Sequence, residues 1–231
     1  TVDGGVRRFG WSNGTIRTRI DGGDLSMQLS SPSSTWFTVE VDGQAVRNFK
    51  ADEGVQTYEV VTGLPAGEHD VALVRRSEGS FGTTDFVALV PGEGTTIVPT
   101  PAKTRRLEFI GDSLTAGYGI EGTDPCDFSA ATETAYSTYA AVAARALGAE
   151  AHLIAQSGKG VIQNYGGNLD GVMPDIWSRA FTNSADPQWD FSSWQPDAVV
   201  VNLGTNDFSA PRDDDAFVAG YAAFLGEIRA V

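Results

Sequence analysis

The spacing of apolar residues changes near the middle of the chain, and no single sheet or bundle accommodates both patterns. Before Pro99 the apolar residues alternate: Phe37, Val39 and Val41 interleave with Trp36, Thr38 and Glu40, and Asp42-Gly43 follows. A period of two puts alternate side chains on opposite faces of a strand, and Asp-Gly supplies the positive φ angles of a tight hairpin turn. The alternation returns in EHDVALVRR and FVALV, LPAG before Glu68 reads as another turn, and no helical period interrupts residues 1–98. Short strands separated by Gly, Asp, Asn, Pro and Ser predict a jelly-roll-like antiparallel β-sandwich over 1–98.

Pro99 and Pro101, within VPTPAKTRR, disfavour both a helix interior and a central strand, so residues 99–106 read as a linker. Beyond it LEFIG, HLIAQ and AVVVNLG are continuous apolar runs, as expected of parallel strands covered on both faces. AYSTYAAVAARALG is Ala-rich, and Gly148 is placed to terminate it. Phe217, Tyr221, Phe224, Leu225 and Ile228 share one helical face, with Asp213 to Asp215 at the positive end of that helix. The series predicts a three-layer α/β domain with a parallel sheet over 107–231. Three strands of that sheet are legible where open sheets hold about five or six, so the domain is expected to be incomplete at its C-terminus.

Charge and cysteine usage narrow the function. Asp plus Glu number 30 against 16 Lys plus Arg, a net charge of −14, which repels nucleic-acid phosphates and anionic lipid headgroups. No apolar run approaches the roughly 20 residues needed to cross a bilayer, and Thr1 does not open a basic-then-apolar leader. A soluble, mature protein with neither nucleic-acid nor membrane partner is expected. Cys126 is the sole cysteine and lies in EGTDPCDF with no nearby basic residue to lower its pKa, which makes it an unreactive structural thiol. No His or Cys cluster has metal-ligand spacing, so neither metal nor cofactor is expected.

The chemistry concentrates at strand ends. FIGDSLTAGYG, residues 109–119, puts Ser113 directly after an apolar strand and before a Gly-rich turn. The next two strands end in Gln156-Ser157-Gly158-Lys159-Gly160 and Gly204-Thr205-Asn206-Asp207. In a parallel sheet all three loops open on the carboxyl edge, where ligand crevices form. Acyl transfer needs a nucleophile and donors aimed at the developing oxyanion. Ser113 supplies the hydroxyl, and the candidate donors are its own N–H, the Gly158 N–H and the Asn206 side-chain amide. Any one of these motifs alone is an ordinary strand-end turn; three in succession are not. Asp112 and Asp207 neighbour these positions and are expected to orient loops by accepting backbone hydrogen bonds.

GDSL around Ser113, the glycine of SGKG and the asparagine of GTND resemble the first three sequence blocks of the SGNH, or GDSL, hydrolase superfamily. The likeness is closer still to carbohydrate esterase family two, whose members put a jelly-roll-like sandwich before an SGNH domain. It spans nearly the whole chain, through FGWSNGTIRTRIDGGDLSMQL, GEHDVALVRRSEGSFG, RRLEFIGDSLTAGYGI, ARALGAEAHLIAQSGKGV and WQPDAVVVNLGTNDF. The resemblance implies a flavodoxin-like SGNH hydrolase domain with Ser113 as nucleophile and Gly158 and Asn206 as oxyanion residues. It further implies a secreted, monomeric serine esterase that removes O-acetyl groups from plant polysaccharides such as xylan and glucomannan, its partner an acetylated polysaccharide or oligosaccharide. A lipase, arylesterase or thioesterase using the same nucleophile is the rival enzyme, and a catalytically silent carbohydrate-binding module is the rival outside enzymes.

One block departs from the family. Its fourth signature, an Asp-x-x-His or a His oriented by a backbone carbonyl near the C-terminus, has no counterpart here, and the two histidines are poorly placed to stand in. His152 opens the second strand, at the amino edge of the sheet, and reads as a packing or surface residue. His69 belongs to the sandwich, after a turn, and is expected to be solvated. Of the aromatic residues in the second domain, Tyr118 and Tyr165 follow the Ser113 and Gly158 blocks and are the best placed to meet a sugar, whereas Trp177, Trp189 and Trp194 read mainly as core.

Overall fold

The computed structural model describes residues 2, 3 and 6–231. The first half builds two antiparallel sheets from β1 (Val2–Asp3), β2 (Val6–Phe9), β3 (Thr15–Asp21), β4 (Leu25–Ser31), β5 (Trp36–Val41), β6 (Gln44–Lys50), β7 (Gly54–Val61), β8 (Glu68–Arg75), β9 (Thr84–Pro91) and β10 (Thr96–Val98). Their orders are β1-β2-β9-β4-β7 and β10-β3-β8-β5-β6. Alternation drives the packing: Leu25, Met27 and Leu29 of β4 and Phe37 and Val39 of β5 point into one shared core and are essentially inaccessible to water. Each such side chain contributes roughly 1.5–3 kcal/mol through burial. Asp42 and Gly43 join β5 to β6 with φ of 50° and 80°, the two left-handed residues that the turn signal requires.

The second half holds a parallel sheet of order β12-β11-β15, from β11 (Arg106–Gly111), β12 (Glu150–Ala155) and β15 (Ala198–Asn202). Helix α2 (Tyr139–Ala146) covers one face, where Phe109 and Leu153 pack on Ala140 and Ala144. The short α3 (Met173–Ile176) and the long α4 (Asp214–Arg229) cover the other, where Ile110 and Ile154 meet Met173, Ile176, Trp177 and Phe224. Side chains cap both long helices: Thr138 accepts from the Ala141 N–H at 3.3 Å, and Asp213 accepts from the Ala216 N–H at 3.0 Å. Gly148 takes φ of 62° just beyond α2. The molecule is thus an α/β domain in three layers behind a β-sandwich, the fold class that the two apolar periods predict.

Two details differ from the sequence reading. On α4 the expected apolar stripe is unevenly covered: Phe224 is buried, while Leu225 keeps 39% of its surface exposed. A small antiparallel hairpin, β13 (Arg179–Phe181) with β14 (Ser184–Gln188), was not signalled, because its strands are too short and polar to show a period.

Hydrogen bonds knit the two halves directly. The Ala135 N–H donates to the Arg76 carbonyl at 2.9 Å, Tyr136 Oη donates to Glu40 at 2.8 Å and Trp11 Nε1 donates to the Arg179 carbonyl at 3.0 Å. Asn183 Nδ2 reaches the Gly79 carbonyl at 2.9 Å, and Arg76 pairs with Glu121.

Candidate active site

Strand β11 ends at Gly111, and Asp112 then caps the single-turn helix α1 (Ser113–Ala116), its Oδ1 accepting the Leu114 N–H at 3.0 Å. Ser113 is therefore the first helical residue, partly exposed, with its N–H at the positive end of that turn. Its own carbonyl accepts from the Gly117 and Tyr118 N–H groups at 2.9 and 3.0 Å.

The loop after β12 comes alongside. The Gln156 N–H donates to the Gly111 carbonyl at 3.2 Å, and residues 156–159 then form a turn closed by a long bond, 3.4 Å, from the Lys159 N–H to the Gln156 carbonyl. Gly158, third in that turn, has φ of 80°, the type II geometry that side-chain-bearing residues resist. The second glycine of SGKG has a different reason. A Cβ on Gly160 would stand 2.0 Å from the Gln163 carbonyl and 2.5 Å from Asp207 Oδ2.

Asp207 needs that space. Its carboxylate, wholly buried, accepts the N–H of Val161 at 2.9 Å, of Ile162 at 2.8 Å and of Gln163 at 3.2 Å. Three consecutive amides are thereby satisfied by one side chain from the next strand-end loop. Asp112 and Asp207 both serve backbone donors, as expected of them. Asp112 is also held above the ordinary carboxylate range, first by burial and further by the nearby Asp207 charge.

Asn206 ties the loops to one another. Its Nδ2 donates to the Lys159 carbonyl at 2.7 Å and to Asp112 Oδ2 at 3.3 Å. It thus bridges the residue after Gly158 and the residue before Ser113, bringing all three candidate positions to the carboxyl edge. The sequence reading treats this amide as free to face an oxyanion. In the structure both its hydrogens have intramolecular acceptors, the Asp112 one being long. The amides of Ser113 and Gly158, by contrast, have no acceptor among the described residues.

The histidines lie elsewhere. His152 pairs across the sheet with Glu108, five positions (108 to 113) before Ser113, which at about 3.3 Å per residue is roughly 16 Å away. Its ring stacks on Trp194 at 3.7 Å and meets Trp189 edge-on at 5.5 Å, and burial lowers its pKa to about 4. It is a packing residue. His69 is not freely solvated as expected: Nδ1 lies 2.7 Å from Asp42 Oδ2 and Nε2 lies 3.0 Å from the Pro65 carbonyl, leaving the side chain 15% exposed. The Asp42 hydrogen bond raises its pKa.

Tyr165 is 71% exposed beside Gly158, and Tyr118 stacks on Phe128, which stacks in turn on Phe81 of the sandwich. Trp177 and Trp194 are core. A cavity of about 480 Å³ lies between the two halves and is lined in part by Trp11, Glu108, His152 and Phe191, away from Ser113. Among the described residues no group of acidic, His and Cys side chains could hold a metal ion, and no helix is long and apolar enough to cross a membrane.

Residues 1–101 match the family model for the carbohydrate esterase 2 N-terminal region, and residues 109–231 match the GDSL-like lipase/acylhydrolase family. A family two carbohydrate esterase from Clostridium thermocellum, solved in complex with cellohexaose, superposes with a TM-score of 0.92 at 35% identity, over 96% of this chain and 69% of that one. The chain belongs to carbohydrate esterase family two.

Within the family, it is 37% identical over 221 residues to the cellulase/esterase CelE of Acetivibrio thermocellus, covering 95% of this chain and 27% of the relative. It is 30% identical over 222 residues to an acetylxylan esterase/glucomannan deacetylase of Cellvibrio japonicus, covering 94% of this chain and 62% of that protein. The chain therefore spans about a quarter and somewhat under two thirds of these relatives' lengths.

Sequence reasoning located the three strand-end loops and both loop-orienting aspartates. It missed Glu78, a buried sandwich residue whose Oε2 accepts the Ser157 N–H at 2.7 Å. The two residues are 79 positions apart in different domains, so no local pattern announces the contact.

Proposed function

We propose that this chain carries a secreted serine esterase that removes O-acetyl groups from plant polysaccharides such as xylan and glucomannan. The reading rests on one observation above the others: Ser113 stands at the end of β11 beside two backbone amides, its own and that of Gly158, that have no internal acceptor among the described residues. Ser113 Oγ attacks the acetyl carbonyl carbon, and the carbonyl oxygen becomes an oxyanion facing these amides, with Asn206 supplying a third donor if its long bond to Asp112 gives way. The bond to the sugar oxygen then breaks, the sugar hydroxyl leaves with the proton, and water cleaves the acetyl-serine to acetate. The names of the Cellvibrio relative and of CelE support an ester substrate on a polysaccharide.

The test is Ser113→Ala in the full-length protein, assayed by acetate release from acetylated xylan and glucomannan beside a series of long-chain esters. Loss of acetate release with an unchanged thermal transition is expected, and wild-type turnover would end the serine mechanism. Preference for the long-chain esters would favour the lipase or arylesterase reading.

A second reading, carbohydrate binding without turnover, draws on two facts: the C. thermocellum relative was solved with cellohexaose, and both histidines sit away from Ser113. Cello-oligosaccharide binding by calorimetry with no acetate release from either polysaccharide would select it.

A further inference from the structure

We propose that Glu78, a residue of the sandwich, is a positioning residue for the esterase site: its carboxyl holds the Ser157–Gly158 turn so that the Gly158 N–H faces the reacting carbonyl. The inference deepens the proposed function and rests on it for the role of the Gly158 amide.

The argument is one of which amides are tied. Of three successive N–H groups in the turn, that of Ser157 is held by Glu78 Oε2 at 2.7 Å and that of Lys159 by the Gln156 carbonyl at 3.4 Å. Only the middle one, Gly158, lacks an acceptor among the described residues. A turn closed by so long a bond does little to fix its own central peptide, and Gly158 adds the freedom of a residue with no Cβ. Rotation of the Ser157–Gly158 peptide is what separates a type II from a type I turn, and it would swing the Gly158 N–H away from the site. The turn is restrained from outside by four contacts: the Gln156 N–H on the Gly111 carbonyl at 3.2 Å, Asn206 Nδ2 on the Lys159 carbonyl at 2.7 Å, the Tyr165 N–H on the Gly158 carbonyl at 2.9 Å, and Glu78 on the Ser157 amide. The Gln156 bond fixes where the turn leaves β12, and Glu78 alone holds the amide of Ser157, the residue that directly precedes Gly158.

Glu78 is itself immobilised. It is 1% exposed, its Oε1 accepts the Ser80 hydroxyl, and its backbone N–H donates to Glu133 Oε1 at 2.9 Å. Its carbonyl accepts from Arg75 Nη2 at 3.0 Å, and the Arg75 guanidinium also holds the Ser77 and Gly82 carbonyls, fixing the segment that presents the carboxyl. A preorganised donor is worth most when nothing must reorganise as charge develops, and these contacts supply that rigidity across a domain boundary.

The test compares Glu78→Ala, Glu78→Gln and Ser80→Ala with the parent full-length enzyme, counting active sites with a covalent phosphonate so that kcat refers to folded enzyme only. Glu78→Ala removes the acceptor of the Ser157 N–H, whereas Glu78→Gln keeps one, its amide oxygen accepting from Ser157 while its NH2 donates to the Ser80 oxygen. The expected result for Glu78→Ala is a fall in kcat on the order of 10–100-fold with KM within a factor of three, most of it restored in Glu78→Gln. A boronate analogue of the tetrahedral intermediate should weaken in parallel. Ser80→Ala, which loosens the carboxyl but leaves the Ser157 contact in place, should lower kcat less and serves if Glu78→Ala folds poorly. Unchanged kcat per active site in Glu78→Ala, or in Ser80→Ala where Glu78→Ala does not fold, or a change confined to KM, would overturn the proposal. If Ser113→Ala retains activity, the function reading has failed and not the role of Glu78 alone.

Discussion

The two edges of one parallel sheet treat their polar residues in opposite ways. At the carboxyl edge the acidic and amide side chains are bonded into backbone: Asp207 to three amides of 161–163, Asp112 to Leu114 and Asn206 to Lys159. At the amino edge the neighbours Glu108 and His152 are desolvated instead. Burial pushes the Glu108 carboxyl up to about 7 and the His152 imidazole down to about 4, and the Glu108 carboxyl has no hydrogen-bond partner among the described residues. Titratable groups by themselves do not mark the edge proposed to react. What marks it is backbone held in place by side chains with two amides left open.

The largest expected effect that would sharpen this contrast, after removal of Ser113 itself, is Asn206→Ala. Loss of one oxyanion donor costs on the order of 10²–10³ in kcat, and here the same change also cuts the tie to Lys159. An effect confined to KM, seen in steady-state kinetics on acetylated xylan, would make Asn206 a substrate-binding residue instead.

Next in size is a pH effect near the carboxyl edge. Burial, then the neighbouring Glu78, raises Glu133 from its ordinary 4.5 to about 9. The native state therefore keeps a proton that the unfolded chain releases. The stability this group contributes is fully present below about 4.5 and is lost as pH rises toward about 9. Glu133→Gln, neutral at every pH and still able to accept the Glu78 N–H, should flatten the fall of the melting temperature across that window. An unchanged slope would mean that Glu133 ionises freely in the native protein.

The smallest effect belongs to the amino edge. His152→Phe should leave kcat within about threefold, since the ring's role there is to stack on Trp194. Its folded pKa is depressed, so its stability contribution is present above about 6.5 and is lost as pH falls toward about 4. The variant should lose that acid limb and nothing else. A hundredfold fall in turnover would break the comparison by making His152 part of the reaction.

How far the sequence carries depends on whether a feature is written in neighbours. Asp42-Gly43 was legible because both residues of the turn lie side by side, and Ser113 because an apolar run ends beside it. The role of Asp207 followed from the habit of aspartate in turns, although its partners are 44 to 46 positions away. His69 was misread, because the Asp42 and Pro65 contacts that enclose it come from across a sheet and around a turn. The hairpin of β13 and β14 left no trace, since the only apolar residues of SADPQ are the small Ala185 and Pro187, and both stay exposed. Glu78 could not be found at all by spacing.

The bond from Glu78 to Ser157 also bears on how such proteins can be cut and recombined. A sandwich that merely accompanied the hydrolase could be exchanged for another, or removed, with affinity or solubility as the only casualty. Here a graft that keeps both folds but alters the 75–82 segment would yield a well-folded, slow enzyme. The boundary drawn by chain topology near residue 100 and the boundary of the working unit do not coincide, and the second lies inside the sandwich.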